Sequence, residues 1–331
     1  MKFASLPKGV IDLSDSVDFA LSPSGARVGE NPILTSVMRG YSNPMLVHEH
    51  LFPVVPVTQR GGKIIQFGDE ALAKRELRRA VGAEMQFLQF GYEGEPYALE
   101  QRALGILVPR EIQEEAMTAA QIDMASTGVR MAMENVLLQI EIEAATLATT
   151  LSNYNAGHKL TLTGEAQWSH AKSKPAEAVE TAKQAIKDAI LRVPNTLVVG
   201  GQVHRKLRNN PDVIERLKHT PRARQASPVT KEELAEYFDV EHYVVGEAGY
   251  GAAGAFTECW GNNAVLAFTE RGTPAMPMPS YGYCYRLEGY PLVEPSFEIE
   301  ARRSRVFPAI TEDTPVIAAA DAGYLFSSVV A

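Results

Sequence analysis

Three glycines, Gly249, Gly251 and Gly254, follow the apolar run HYVVGEA in the spacing G-x-G-x-x-G. In a dinucleotide site such glycines let a pyrophosphate approach a helix N-terminus. Here the following residues, AFTECWGNNAVLAF, read as another strand, so no helix start is available for a phosphate. The glycines are therefore read as a flexible loop between strands. His48, Glu49 and His50 put two imidazoles two residues apart, which on a strand would aim both the same way, as metal ligands are aimed. No third histidine lies close by, and the pair is read as a solvated or hydrogen-bonded surface feature. Cys259 and Cys284 have no C-x-x-C partner and are read as small packing residues, not nucleophiles. The motifs G-x-S-x-G, H-E-x-x-H and G-x-x-x-x-G-K-[ST] do not occur. No catalytic residue, metal ligand or cofactor is assigned.

Basic side chains cluster as Lys74, Arg75, Arg78 and Arg79, as Arg205, Lys206 and Arg208, as Arg222 and Arg224, and as Arg302, Arg303 and Arg305. Each cluster is short and lies near carboxylates, which fits surface or inter-subunit ion pairing better than a groove for nucleic acid. An exposed pair contributes only about 0 to 1 kcal/mol, but many repeats of it in an assembly fix geometry. With 32 basic and 40 acidic residues the net charge is −8. That excludes gripping phosphates as the main work, though not enclosing nucleic acid.

The 331 residues, 45% hydrophobic and 22% charged, have ordinary globular composition and suffice for about two domains. Two cysteines exclude a disulfide framework and fit a reducing compartment. No secretory pattern opens the chain, and the apolar stretch from Val316 to Ala331 is shorter than the ~20 residues a spanning helix needs, so a soluble protein is expected.

Residues 1–45, rich in Ser, Pro, Gly and Asn without apolar period, read as an extended arm that needs a partner surface. The runs LFPVVPV and GGKIIQF predict strands, residues 69–84 a short amphipathic helix, and 85–109 a further extended stretch, together a long β excursion and its return. From Ile112 through Val129 and Ile140 to Leu151 apolar residues recur every three or four positions. That predicts one helix over 110–151, about 60 Å long, with Gly128 as a place for a kink. Ser173 before Pro175 predicts the cap of a helix running to Ile190, and Thr230 with Glu233 predicts a capping box for 231–238. Two short helices split at Pro211, with strands at 196–201, 242–248, 263–270 and 281–289, make 172–290 a mixed α/β unit, and 291–331 returns as strands.

That order of parts resembles the major capsid proteins of tailed bacteriophages, of α+β class and HK-97-like fold. The resemblance is carried by FPVVPV, YALEQRALGILVPREIQEEA, PNTLVVGGQVHRKLRNNPDVIERLK, VTKEELAEYFDVEHYVVGEA and CWGNNAVLAF, in that order, and covers about residues 45–331. It implies an N-terminal arm (1–50), an extended E-loop hairpin (51–109), a spine helix with the first part of the P-domain (110–171), an A-domain (172–290) and a P-domain return (291–331). The implied function is a non-enzymatic capsid subunit, building hexamers and pentamers of an icosahedral virion shell around double-stranded DNA after assembly in the bacterial cytoplasm. The implied partners are other copies, a separate scaffolding protein, a portal and a cement or decoration protein; no membrane is involved. Arg60, Lys63, Lys74, Arg75, Arg78, Arg79, Arg302, Arg303 and Arg305 are the expected inter-subunit contacts, and Gly249, Gly251 and Gly254 the expected flexible A-domain loop. Some relatives crosslink an E-loop lysine to a neighbour's asparagine, but beyond Lys63 the sequence identifies no partner, so crosslinking is not expected. Two other readings are an encapsulin-like compartment and an α/β enzyme with a ligand near 246–262.

Overall fold

A computed structural model describes residues 31–63, 78, 96–115, 123–217, 229–252, 254–270 and 280–331. The first element, α1 (Pro32–Arg39), has proline in its first turn and Asn31 as N-cap, accepting from the Leu34 N–H. Leu34 and Met38, four apart, bury one face of α1, which packs on the long helix. The end of the expected arm is thus a helix docked on its own chain; its eight residues are too few for a convincing apolar period. Next come α2 (His48–Leu51), β1 (Val54–Val57), β2 (Gly61–Lys63), β3 (Pro96–Ala98) and β4 (Glu100–Pro109). β2 and β3 pair antiparallel, Gly61 opposite Ala98 and Lys63 opposite Pro96, as the outgoing and returning legs of the excursion. The helix expected over 69–84 lies outside the described residues except Arg78, which is exposed and in no regular element.

The single helix expected over 110–151 is instead interrupted. α3 covers Arg110–Glu115, residues 116–122 lie outside the described set, and α4 covers Met124–Thr149. Asp123 has extended backbone (φ −77°, ψ 101°), and its carboxylate accepts from the Ala125 N–H, so the helix starts afresh at Met124. The apolar period runs straight across this cap, which hid the break. The 26 residues of α4 span about 39 Å. Its buried stripe is made largely of small residues, among them Ala125, Gly128, Ala132, Ala144, Ala145 and Ala148. Gly128 is a contact point, not a kink: a Cβ there would lie 2.3 Å from Ile106 Cγ2 of β4. Only glycine lets the strand cross the helix so closely.

The chain continues through β5 (Lys159–Thr161), α5 (Pro175–Ile190), β6 (Thr196–Gly200), α6 (Gly201–Leu207), α7 (Pro211–Leu217), α8 (Lys231–Phe238), β7 (His242–Gly246), β8 (Gly249–Ala252), β9 (Ala255–Glu258), β10 (Ala264–Ala267), β11 (Gly282–Leu287), β12 (Leu292–Val293), β13 (Phe297–Ile299), β14 (Ser304–Ile317) and β15 (Gly323–Ser327). The capping box of α8 is present in full. The N-cap of α5 is Lys174 and not Ser173; the Ser173 hydroxyl donates to the His170 carbonyl and accepts from Asn210, a use nearer the backbone turn that precedes the helix.

Two sheets lie along α4. One has the order β5-β15-β10-β6-β7, with every residue of β6, β10 and β15 buried. The continuous apolar runs TLVV, AVLA and YLF fit strands covered on both faces, and α4, α5 and α6 all pack on this sheet. The other is built around the 14-residue β14, which pairs with β4 over ten positions from Ser304–Pro109 to Asp313–Glu100, and also with β11, β12 and β13. β1 joins β11 in parallel. Pairing crosses the segment divisions read from the sequence, because β11 joins β14 while β15 joins β10. One continuous apolar core, including Val129, Ile140, Trp168, Val198, Trp260 and Phe326, links both sheets through α4.

Candidate functional site

The apolar stripe of α4 contains one carboxylate, Glu141, with no solvent exposure. Its Oε2 accepts from the Val47 N–H at 3.0 Å, the His48 N–H at 2.8 Å and His48 Nδ1 at 2.7 Å, and its Oε1 from Trp260 Nε1 at 2.6 Å. The carboxylate partner assigns the hydrogen to Nδ1. Gly246, ending β7, makes room for the indole: a Cβ there would lie 2.1 Å from it. Burial pushes the Glu141 carboxyl up, but the hydrogen bond and charge of His48 and the Trp260 donor outweigh it and hold the group below the ordinary carboxylate range. With four donors on two oxygens the group has no capacity left for proton transfer. It pins the chain before α2, the long helix and the turn after β9 to one another.

A second polar cluster lies where β14 meets β4 and β11. Buried Asp313 receives Arg102 Nη1 at 2.6 Å and has Arg286 Nε at 3.5 Å, while Arg102 reaches on to Glu143 of α4. Arg60 closes a two-pronged pair on Glu312, at 2.7 and 3.0 Å, with Gln101 at 3.3 Å. Beyond this cluster Ile106 touches α4, so by strand alternation Leu107 points to the other face. Leu107, Val306 and Phe297 stand directly opposite one another across β4, β14 and β13. The outer two, Leu107 and Phe297, are 40% and 52% exposed. This row is an apolar strip on a sheet face that α4 does not cover.

The residues singled out in the sequence are scattered. Gly249, Gly251 and Gly254 belong to a paired hairpin, not to an irregular loop: β8 and β9 pair from Gly249–Glu258 to Ala252–Ala255, with Gly254 at the turn at φ +86°. AFTE falls in the run that read as a strand, whereas alternation of small and large residues in GYGA is weak, which is why the glycine segment read as loop. His48 and His50 are not a strand-borne surface pair; α2 is a helical turn, His48 is buried on Glu141, and the His50 ring meets that of His242. Arg60, Arg303 and Arg305 find partners within the chain, on Glu312, Glu111 and Glu298. Lys63, Arg78 and Arg302 are exposed, and Lys74, Arg75, Arg79, Arg222 and Arg224 lie outside the described residues. Burial and the nearby Glu141 push the Cys259 thiol up to about 11, and burial pushes Cys284 up to about 12, so neither is primed as a nucleophile. Among the described residues no group of His, Cys, Asp and Glu is arranged for a metal, and no helix is long and apolar enough to cross a membrane.

The profile of the family described as Phage major capsid protein E matches residues 131–278. The major capsid protein of Burkholderia phage BcepMu is 33% identical over 307 residues, which cover 90% of this chain and 96% of that protein. Among solved structures, a phage-related protein of Bordetella bronchiseptica is 35% identical with a TM-score of 0.77, over 91% of this chain and 98% of that one. The capsid of cyanophage P-SCSP1u is 10% identical with a TM-score of 0.54, over 87% and 89% of the two chains, a likeness of fold alone.

Proposed function

The chain belongs to the phage major capsid proteins and bears the HK-97-like fold, and from that premise we propose that it works without catalysis, copies of it joining as hexamers and pentamers in an icosahedral head around double-stranded DNA. The observation that carries this reading is the strip of Leu107, Val306 and Phe297 on the sheet face that α4 does not cover. In a shell each copy has neighbours on every side, and such a strip is the kind of surface a neighbour covers.

In this reading residues 1–50 form the arm, 51–109 the E-loop, 110–171 the spine and first part of the P-domain, 172–290 the A-domain and 291–331 the P-domain return. Lys63, Lys74, Arg75, Arg78, Arg79 and Arg302 meet neighbouring copies, whereas Arg60, Arg303 and Arg305 stiffen the ribbon and contribute to such contacts from its surface. The hairpin of Gly249, Gly251 and Gly254, with Phe256 69% exposed, lines the capsomer axis. The net charge of −8 suits a wall that contains DNA without holding it. Assembly takes place in the host cytoplasm with a separate scaffolding protein, a portal and a cement or decoration protein. The family relation favours a virion shell over an encapsulin-like compartment or an enzyme.

Leu107→Glu tests the strip. A charge there leaves the folded subunit within about 0.5 kcal/mol of its normal stability, and sedimentation is expected to find dispersed subunits where the unaltered chain forms particles. Normal particles from the variant would remove the strip from the contact set.

A further inference from the structure

A cavity of about 320 Å³ lies between the segment carrying Arg39 and Tyr41, the start of α2, the middle of α4, and the end of β11 at Arg286. Three atoms on its lining residues have no hydrogen-bond partner: His48 Nε2, Arg286 Nε and Arg286 Nη2. Both side chains are held in place. His48 is 2% exposed, and its Nδ1 is fixed on Glu141, so Nε2 points out of the opposite side of the ring. Arg286 Nε lies 3.5 Å from Asp313 Oδ2, an ion-pair contact without a hydrogen bond, while the other Asp313 oxygen belongs to Arg102. The lining carries two guanidinium groups and an imidazole against one carboxylate, Glu49, which is exposed to solvent. Leaving a buried nitrogen unpartnered is costly, so three of them on two side chains lining one cavity call for a ligand that accepts from both side chains.

We propose that this cavity is an oxyanion site, in which a carboxylate, sulfate or phosphate group accepts from Arg286 Nη2 and from His48 Nε2–H. With Nδ1–H given to Glu141, a ring that carries hydrogen on both nitrogens donates Nε2–H to the ligand. The titratable and charged groups around the ring are Glu141 of α4, Glu49 of α2, Arg39 and Tyr41 of the preceding segment, Arg286 of β11 and Tyr290 after it. The oxyanion is either a free one or an acidic side chain of a second copy reaching into the cavity; the site itself does not depend on shell formation.

The test uses inorganic sulfate added to the dispersed full-length chain against chloride at matched ionic strength. Calorimetry is expected to find saturable binding of sulfate. Arg286→Gln is expected to weaken it about tenfold, with the chloride-only melting midpoint nearly unchanged because Asp313 keeps Arg102. Ser42→Asp, at the exposed cavity rim, is expected to supply the carboxylate in cis and abolish the sulfate response. Sulfate binding that vanishes when shells form identifies the source as a neighbour's carboxylate; binding that persists identifies a free anion. A non-saturating response equal in the unaltered chain and Arg286→Gln, an adventitious ion only, overturns the proposal, as does saturable binding that Arg286→Gln leaves at full strength.

Discussion

Glu141 ties three distant parts of the chain through four hydrogen bonds, so its removal is felt beyond its own helix. Glu141→Gln keeps the shape but loses the charge and sets an amide N–H against donors. A loss of about 3 kcal/mol is expected in denaturant unfolding. The acid side of the stability profile has two contributors. His204 is pushed down to about 4 by burial and by nearby Arg208 and Lys231, so below about pH 6.5 the unfolded chain takes a proton that the folded chain refuses. Stability from this group is therefore lost as pH falls from about 6.5 towards 4. Glu141, held below the ordinary range, contributes stability present above its unfolded pKa of about 4.3 and lost as pH falls through its lower folded value. Melting midpoints measured against pH are expected to fall in both windows; His204→Gln flattens the upper one and Glu141→Gln the lower. A profile unaltered by either change contradicts the assignment. In the sequence Glu141 was visible as a carboxylate inside an apolar stripe. Its partners were not, because His48 and Trp260 lie 93 and 119 residues away, beyond any local pattern.

At the scale of elements, α4 depends on how closely β4 can cross it. Gly128→Ala puts a methyl group into Ile106 and is expected to cost about 1 to 3 kcal/mol, measured by thermal or denaturant unfolding. Adding Ile106→Ala should recover part of that loss; a Gly128→Ala chain as stable as the parent would mean the crossing is looser than described. Much at this scale was legible. Continuous apolar runs marked β6 and β10, Pro211 marked the break between α6 and α7, and Thr230 with Glu233 marked the start of α8. Two features were not. Asp123 caps the start of α4 within an unbroken apolar period, and α1 is buried by tertiary contact more than by its own pattern. The hairpin of β8 and β9 was hidden for a related reason: its strands stand out from the body and have no buried face to imprint alternation.

At the scale of the molecule, a long helix lies under two sheets, with an apolar strip left open on one of them. The order of these parts was readable from the chain, since each leaves a local signature. The strip was not, because Leu107 and Phe297 look in sequence like core residues, and only the cross-strand register puts them on an uncovered face. The central claim is that this chain is a shell subunit. Electron microscopy of the purified full-length chain, expressed alone and together with the neighbouring phage genes, tests it most directly. Closed icosahedral particles of uniform size, or tubes built from the same hexamers, are the expected result. A homogeneous dimer or tetramer under both conditions would contradict it.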